Sequence, residues 1–164
     1  MKSLSEYITE SSITRDEVFV KIKNLSETGI AEVEEVESGF GEKNSKKFTI
    51  HYKRGLTYSL DFLNSYEYLW EYESPDGKKL STNITDEIDR TDWDRELNPK
   101  LEIPFRMRNI DKLISKAKSE YTRYHNQYNR TGKSDDSMKS YQASERMRIL
   151  QARKERYEHF LKFV

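Results

Sequence analysis

Three histidines, His51, His125 and His159, are the first residues to examine for catalysis or metal binding. A zinc protease places two histidines four residues apart on a helix, and structural zinc sites add cysteines at short spacing. The sequence has no such histidine spacing and no cysteine. Each histidine is therefore predicted to be a solvated polar residue. No catalytic, cofactor-binding or metal-ligating residue is predicted, and no cofactor is expected.

Carboxylates crowd the segment 86–96. Two of them, Asp92 and Asp94, have the two-residue spacing that calcium-binding loops use. The third ligand, the glycine and the distal glutamate of the EF-hand pattern are missing. The pattern favours a solvated acidic surface, formed by Asp86, Glu87, Asp89, Asp92, Asp94 and Glu96.

Motifs for nucleotide binding and nucleophilic catalysis are also missing. Gly39-Phe40-Gly41 lacks the third glycine and the following helix of a dinucleotide-binding loop. Neither a Walker A pattern nor a G-x-S-x-G nucleophile motif occurs. The sequence therefore predicts a protein that is not an enzyme.

Basic residues crowd the last predicted helix, where five cations fall within eleven residues. Such a cluster can contact the phosphates of a nucleic acid, and it can equally be an ordinary solvated helix face. The candidate phosphate-binding stripe consists of Arg146, Arg148, Arg153, Lys154 and Arg156.

Net charge is zero over the 164 residues but is divided unevenly. Residues 105–164 hold 15 Lys/Arg and 7 Asp/Glu, a balance of +8, which leaves −8 for residues 1–104. A basic segment beside an acidic one indicates an acidic partner for the basic part. The alternative is that the two halves attract each other, within one chain or between chains.

Alternating apolar residues predict an N-terminal antiparallel sheet. Strands are expected at residues 16–25, 30–36, 48–52, 58–62, 66–72 and 79–84, with a turn at Ser74-Pro75-Asp76-Gly77. Aromatic side chains on these strands are predicted to form the core, although they could instead stack on single-stranded nucleic acid. The acidic and proline-containing segment 85–104 is expected to be a connector.

Two heptad series follow, separated by a glycine-containing turn cluster at residues 130–136. They predict an antiparallel coiled-coil-like hairpin over residues 105–164, and an α+β fold for the whole chain. The domains expected are an N-terminal amphipathic peptide (1–12), a β-rich domain with its connector (13–104) and a basic helical hairpin (105–164). The seam residues are Met107, Ile110, Ile114, Ala117, Tyr121, Tyr124 and Tyr128 in the first helix, and Ser140, Ala143, Met147, Leu150, Lys154, Tyr157, Leu161 and Val164 in the second.

The first ten residues, Met1-Lys2-Ser3-Leu4-Ser5-Glu6-Tyr7-Ile8-Thr9-Glu10, resemble the leader peptides of internal head proteins of T-even-type tailed phages. The resemblance implies packaging into the prohead core and cleavage after a hydrophobic-x-Glu tripeptide. Ile8-Thr9-Glu10 matches that tripeptide, and Ser11 would become the new N-terminus. An ordinary N-terminal helix with a Ser3-x-x-Glu6 capping box explains the same residues.

These observations predict a non-enzymatic phage virion protein, in the capsid or the internal head, that acts through protein–protein contacts. Its expected partners are other virion proteins or further copies of itself. The alternatives are a nucleic-acid-binding accessory protein that uses the basic helix, with weak binding, and a small inhibitor or regulator of a host protein. No apolar run reaches the roughly 20 residues of a membrane span and no signal peptide is recognisable. The expected location is the virion or the host cytoplasm, with no membrane partner.

Overall fold

The computed structural model describes residues 12–39, 41–43 and 45–164. The chain forms two compact units divided after Pro99. The sheet unit runs up to Pro99 and includes Lys162–Val164, and the hairpin unit is Lys100–Leu161. An antiparallel sheet followed by two long helices confirms the predicted α+β fold. The peptide expected at residues 1–12, with the candidate cleavage residues Ile8, Glu10 and Ser11, lies outside the described residues except for Ser12.

The strand predicted for residues 16–25 is wrong, because this segment is helix α1, Arg15–Glu27. Thr14 and Glu17 form a capping box in which each side chain accepts a hydrogen bond from the other's backbone N–H. The side chains that α1 buries follow helical spacing, and Val20, which a strand would bury, is 68% exposed. The buried residues are Val18, Phe19, Ile22 and Leu25.

The sheet is the predicted antiparallel meander, with five strands in the order β1-β2-β3-β4-β5 and a short β6 that also pairs with β4. In β2, β3 and β4, two-residue alternation places one face of the strand in the core and the other towards solvent. The strands are β1 Ala31–Glu37, β2 Lys46–Tyr52, β3 Thr57–Phe62, β4 Glu67–Glu73, β5 Lys79–Ser81 and β6 Asp86–Glu87.

Two tight turns set the register of the central strands. The turn between β4 and β5 is the predicted one, closed by a hydrogen bond from Gly77 N to Ser74 O of 2.9 Å. Between β2 and β3, Gly55 has φ +108°, a conformation that side chains with a Cβ avoid. An added Cβ at Gly55 would also lie 2.5 Å from Cγ of Pro75, so both backbone conformation and space require glycine here.

Aromatic rings fill the core of the sheet unit. Phe19 of α1 lies against Phe48 and Phe62, with ring centroids 5.0 and 4.9 Å apart. The rings of Tyr58 and Tyr72 stack at 4.3 Å. Of the strand aromatics predicted to be core, Tyr58, Tyr68, Trp70 and Tyr72 are buried, whereas Tyr66, which precedes β4, is 75% exposed.

An ion-pair cluster joins α1 to the first two strands. Nζ of Lys46 and Nζ of Lys23 lie 2.6 and 3.3 Å from the Glu35 carboxylate oxygens. The hydrogen bond from Lys46, followed by that from Lys23, holds the pKa of Glu35 below its usual value.

Regular structure replaces the connector expected at residues 85–104. It contains β6, a 3₁₀ turn at Ile88–Arg90, the short helix α2 at Trp93–Glu96 and the start of helix α3. Pro99 opens α3, a position where its missing N–H costs no helical hydrogen bond, and α3 continues through Pro104. The boundary between the two units along the chain therefore falls before Pro104, whereas the expected boundary follows it.

The hairpin consists of α3, Pro99–Thr131, and α4, Ser134–Phe160. Only Gly132 and Lys133 separate them, so the loop is shorter than the predicted turn cluster. Gly132 has φ +64° and its N–H donates to Tyr128 O at 2.7 Å, which ends α3 in the manner usual for glycine. The helices have 33 and 27 residues, or about 50 and 40 Å of length.

Candidate interaction surface on the helical hairpin

Four contacts between α3 and α4 fix the register of the hairpin. From the loop outward, Lys139 Nζ lies 5.3 Å from the Tyr124 ring centroid, and Arg146 Nη2 lies 2.5 Å from Glu120 Oε2. Further along, Lys154 Nζ lies 2.8 Å from Asp111 Oδ1, and Arg106 Nη1 donates to Tyr157 Oη at 3.3 Å. Residue numbers fall along α3 as they rise along α4, which is the antiparallel pairing the two heptad series predict.

Small side chains let the two helices approach closely. Ala117 of α3 and Ser140 and Ala143 of α4 are buried at seam positions. Larger seam residues towards the loop are more exposed, and Tyr128 is the most exposed of the first series. The seam is therefore closely packed at its small residues and more exposed to solvent at Tyr128, near the loop.

The heptad also separates the two sides of the hairpin. Positions a and d form the seam, positions g and c lie on one side of it, and positions e and b on the other. The ion pair between Glu120 and Arg146 joins position g of α3 to position g of α4, so these two rows adjoin. We call the side formed by the g and c positions the basic groove. Its residues are Leu113, Lys116, Glu120, Arg123, Lys139, Gln142, Arg146, Ile149, Arg153 and Arg156.

The five residues of the candidate phosphate-binding stripe are distributed around α4. At about 100° per residue, Arg146, Arg153 and Arg156 fall in the basic groove. Lys154 lies in the seam, where its hydrogen bond to Asp111 raises the lysine pKa. Arg148 lies on the other side of the helix and pairs with Glu145 at 3.0 Å, a hydrogen bond that raises the pKa of Arg148. Three of the five residues therefore lie in the basic groove, one lies in the seam and one lies on the opposite side of α4.

Residues that sequence reasoning did not single out complete this surface. Leu113 and Ile149, each 50% exposed, place apolar area in the basic groove. The heptad could have identified both, because they fall beside the seam at positions g and c.

The acidic segment 86–96 is only partly the predicted solvated surface. Glu96 is buried, and its Oε1 accepts a hydrogen bond from the Tyr58 hydroxyl. Burial, with the charge of Glu96 nearby, raises the pKa of Tyr52, whose hydroxyl donates to Leu97 O at 2.7 Å. Within the described residues, no group of three or more His, Asp or Glu side chains could hold a metal ion.

One histidine has polar neighbours on the open face of the sheet. His51 Nε2 lies 3.3 Å from Glu34 Oε2, and its Nδ1 lies 3.3 Å from Thr57 Oγ1. The order hydroxyl, imidazole and carboxylate is that of a nucleophile relay, but Glu34 is exposed and both contacts are long. The three residues are cross-strand neighbours on a solvated face. On α3, His125 stacks on Tyr121, one turn before it.

An open cleft of about 390 Å³ lies at the start of α1. Arg15, Asp16, Tyr66 and Asp89 are among its lining residues. Its charges are mixed and it lies beside a single helix N-terminus, so it defines no ligand.

Comparisons with known proteins found no match, whether against protein-family models, curated proteins or solved structures. Within the described part of the chain, no helix is both long and apolar enough to cross a membrane.

Weak DNA binding is expected from the basic groove. Affinity for a DNA duplex should fall steeply with salt and vanish near about 0.15 M, because each phosphate contact releases counterions. The variant Arg153→Glu with Arg156→Glu should abolish it, whereas Arg148→Glu, on the other side of α4, should have little effect. Fluorescence anisotropy across a salt series measures this. Equal loss in both variants would show that net charge, and not the groove, determines binding.

Proposed function

We propose that this chain is a non-enzymatic, virion-associated protein of a tailed phage, in the capsid or internal head, that acts through protein–protein contacts of its hairpin. The observation that carries the proposal is the exposed apolar area of Leu113 and Ile149 beside the seam. An exposed apolar patch rimmed by polar residues marks a surface that a partner protein covers. The resemblance of Met1–Glu10 to phage leader peptides supplies the virion context.

Internal ion pairs favour protein contacts over nucleic acid. Arg146, Arg148 and Lys154 each have a carboxylate within 3.0 Å inside the hairpin. A phosphate would have to compete with these carboxylates. The nucleic-acid alternative therefore has less support than protein contacts.

Incorporation into particles tests the proposal. Removing residues 2–10 should abolish incorporation into purified particles, because leader peptides of the kind that these residues resemble direct packaging. Far-UV circular dichroism of the shortened chain checks that the hairpin remains folded. Quantitative mass spectrometry of particles formed in infected cells measures both copy number and N-terminus. A chain that begins at Ser11 in mature particles is expected.

The hairpin contribution is tested in the same particles. Ile149→Asp should reduce incorporation at least about tenfold if the basic groove makes the contact. Ala152→Asp is the matched control, since it adds the same charge at an exposed position of the same helix.

Full incorporation of the chain without residues 2–10 would contradict the packaging role proposed for that segment.

A further inference from the structure

We propose that the basic groove binds an acidic amphipathic helix of a partner protein. This inference rests on the proposed function, because it specifies the chemistry of the protein contact. Leu113 and Ile149 supply apolar area, and charged residues hold seven of the eight other groove positions. Apolar area flanked by charged and polar residues is the usual arrangement of a protein-binding surface.

The register of the hairpin brings the two apolar side chains into one groove. Arg146 contacts Glu120 at 2.5 Å. Leu113 lies two turns before Glu120 on α3, and Ile149 lies one turn after Arg146 on α4. Because the helices are antiparallel, both apolar residues lie on the same side of that ion pair. Along the helix axes they lie roughly 6 Å apart, about one helical turn, so one partner helix laid along the groove can contact both.

A helix suits this groove better than a strand. Groove residues recur at intervals of three and four along both helices, so the groove follows the helix axes. A third helix can place a ridge of side chains at the same intervals along it. From Lys139 to Arg156 the groove extends about 26 Å, or nearly five turns of a partner helix.

Charge makes an acidic partner the complementary one. Over residues 113–123 and 139–156, the groove positions carry six cations (Lys116, Arg123, Lys139, Arg146, Arg153, Arg156) and one carboxylate (Glu120), a balance of +5. The e and b positions of the same spans carry Lys118, Arg148 and Glu155, a balance of +1. The positive charge is thus concentrated on the side that also exposes Leu113 and Ile149. Two copies facing each other through this surface would repel, which disfavours self-association.

A nucleic acid would fit the groove less well. Phosphates would neutralise the cations but leave Leu113 and Ile149 in water. An amphipathic helix covers the apolar pair and places carboxylates opposite the remaining cations.

A designed peptide tests the inference on the full-length chain. The probe is a labelled peptide of about 21 residues with leucine at positions a and d and glutamate at e and g, where mutual repulsion keeps it monomeric. Micromolar binding that weakens as salt rises is expected in fluorescence anisotropy. The same peptide with lysine in place of glutamate should bind at least about tenfold more weakly.

Two matched pairs of variants locate the site. Ile149→Asp and Arg153→Glu should each weaken peptide binding about tenfold or more. Their controls, Ala152→Asp and Arg148→Glu, make the same charge changes on α4 outside the groove and should bind as the unmodified chain does. Circular dichroism of all four variants checks that the hairpin remains folded.

Several results would overturn the inference. The inference would be wrong if the glutamate peptide did not bind, or if the lysine peptide bound equally well. It would also be wrong if the groove variants and their controls lost the same affinity for the peptide. A DNA duplex that displaces the peptide at about 0.15 M salt would assign the groove to nucleic acid. If sedimentation showed a dimer and Arg153→Glu dissociated it, the groove would be the contact between two copies of this chain. If the peptide fails while residues 2–10 still direct incorporation, the virion proposal stands and only the helix-binding inference falls.

Discussion

Replacing Ala117 by aspartate is expected to destabilise the hairpin unit by roughly 3 kcal/mol or more. Ala117 is buried in the seam, between the Asp111–Lys154 and Glu120–Arg146 contacts. The new carboxylate would lose its hydration, and Glu120 one turn away would repel it. A small residue here also allows the close approach of the helices, so the larger side chain adds steric strain.

Urea denaturation followed by far-UV circular dichroism measures this effect, because most helical residues belong to the hairpin. Ala152→Asp is the control, since Ala152 is exposed on the outside of α4. It should change the free energy of unfolding by less than about 0.5 kcal/mol. An unchanged unfolding midpoint for Ala117→Asp would contradict the paired-helix seam.

Truncating Phe62 to alanine is expected to cost the sheet unit roughly 3–5 kcal/mol. Phe62 is fully buried at the centre of the aromatic core. Its ring centroid lies 4.9 Å from that of Phe19, 5.9 Å from Phe48, 5.8 Å from Tyr68 and 6.0 Å from Trp93. The truncation would leave a cavity among four rings held by three different elements, α1, the sheet and α2, which cannot easily collapse into it.

Tryptophan fluorescence separates this effect from the hairpin, because both tryptophans of the chain, Trp70 and Trp93, lie in the sheet unit. Tyr66→Ala is the matched control, an aromatic truncation at an exposed position near the same strands, and should cost less than about 0.5 kcal/mol. Similar urea midpoints for the two variants would show that Phe62 is not central to the core.

Patterns that depend on neighbours in the sequence predicted much of the fold. Turn residues such as Pro75 and Gly77 were sufficient for the β4–β5 turn, because their backbone preferences are local. The two heptad series predicted the hairpin, because each long helix has one apolar face that the other helix can bury. A mixed α+β class followed from these two signals together.

Segment 16–25 shows where periodicity fails. Val18, Val20 and Ile22 match a strand, while Phe19 and Leu25 complete a helical face with Val18 and Ile22. Both patterns fit so short a run. The capping box at Thr14 and Glu17 was the local signal that favoured the helix. Packing of Phe19 against the sheet stabilises the helical conformation of the segment.

The sequence by itself determined the charge asymmetry, the seam as far as Tyr157 and five strands of the meander, because these follow from composition and from spacing along one chain. The last two predicted seam residues, Leu161 and Val164, lie beyond α4, which ends at Phe160. Only the tertiary structure decided that Glu96 is buried beside Tyr58, and that Arg146 and Lys154 pair across the hairpin. Those contacts join residues far apart in the sequence, and their geometry depends on the register between elements. The same register divides five clustered cations between a groove, a seam and an outer face, so a cluster in the sequence is not a cluster on the surface.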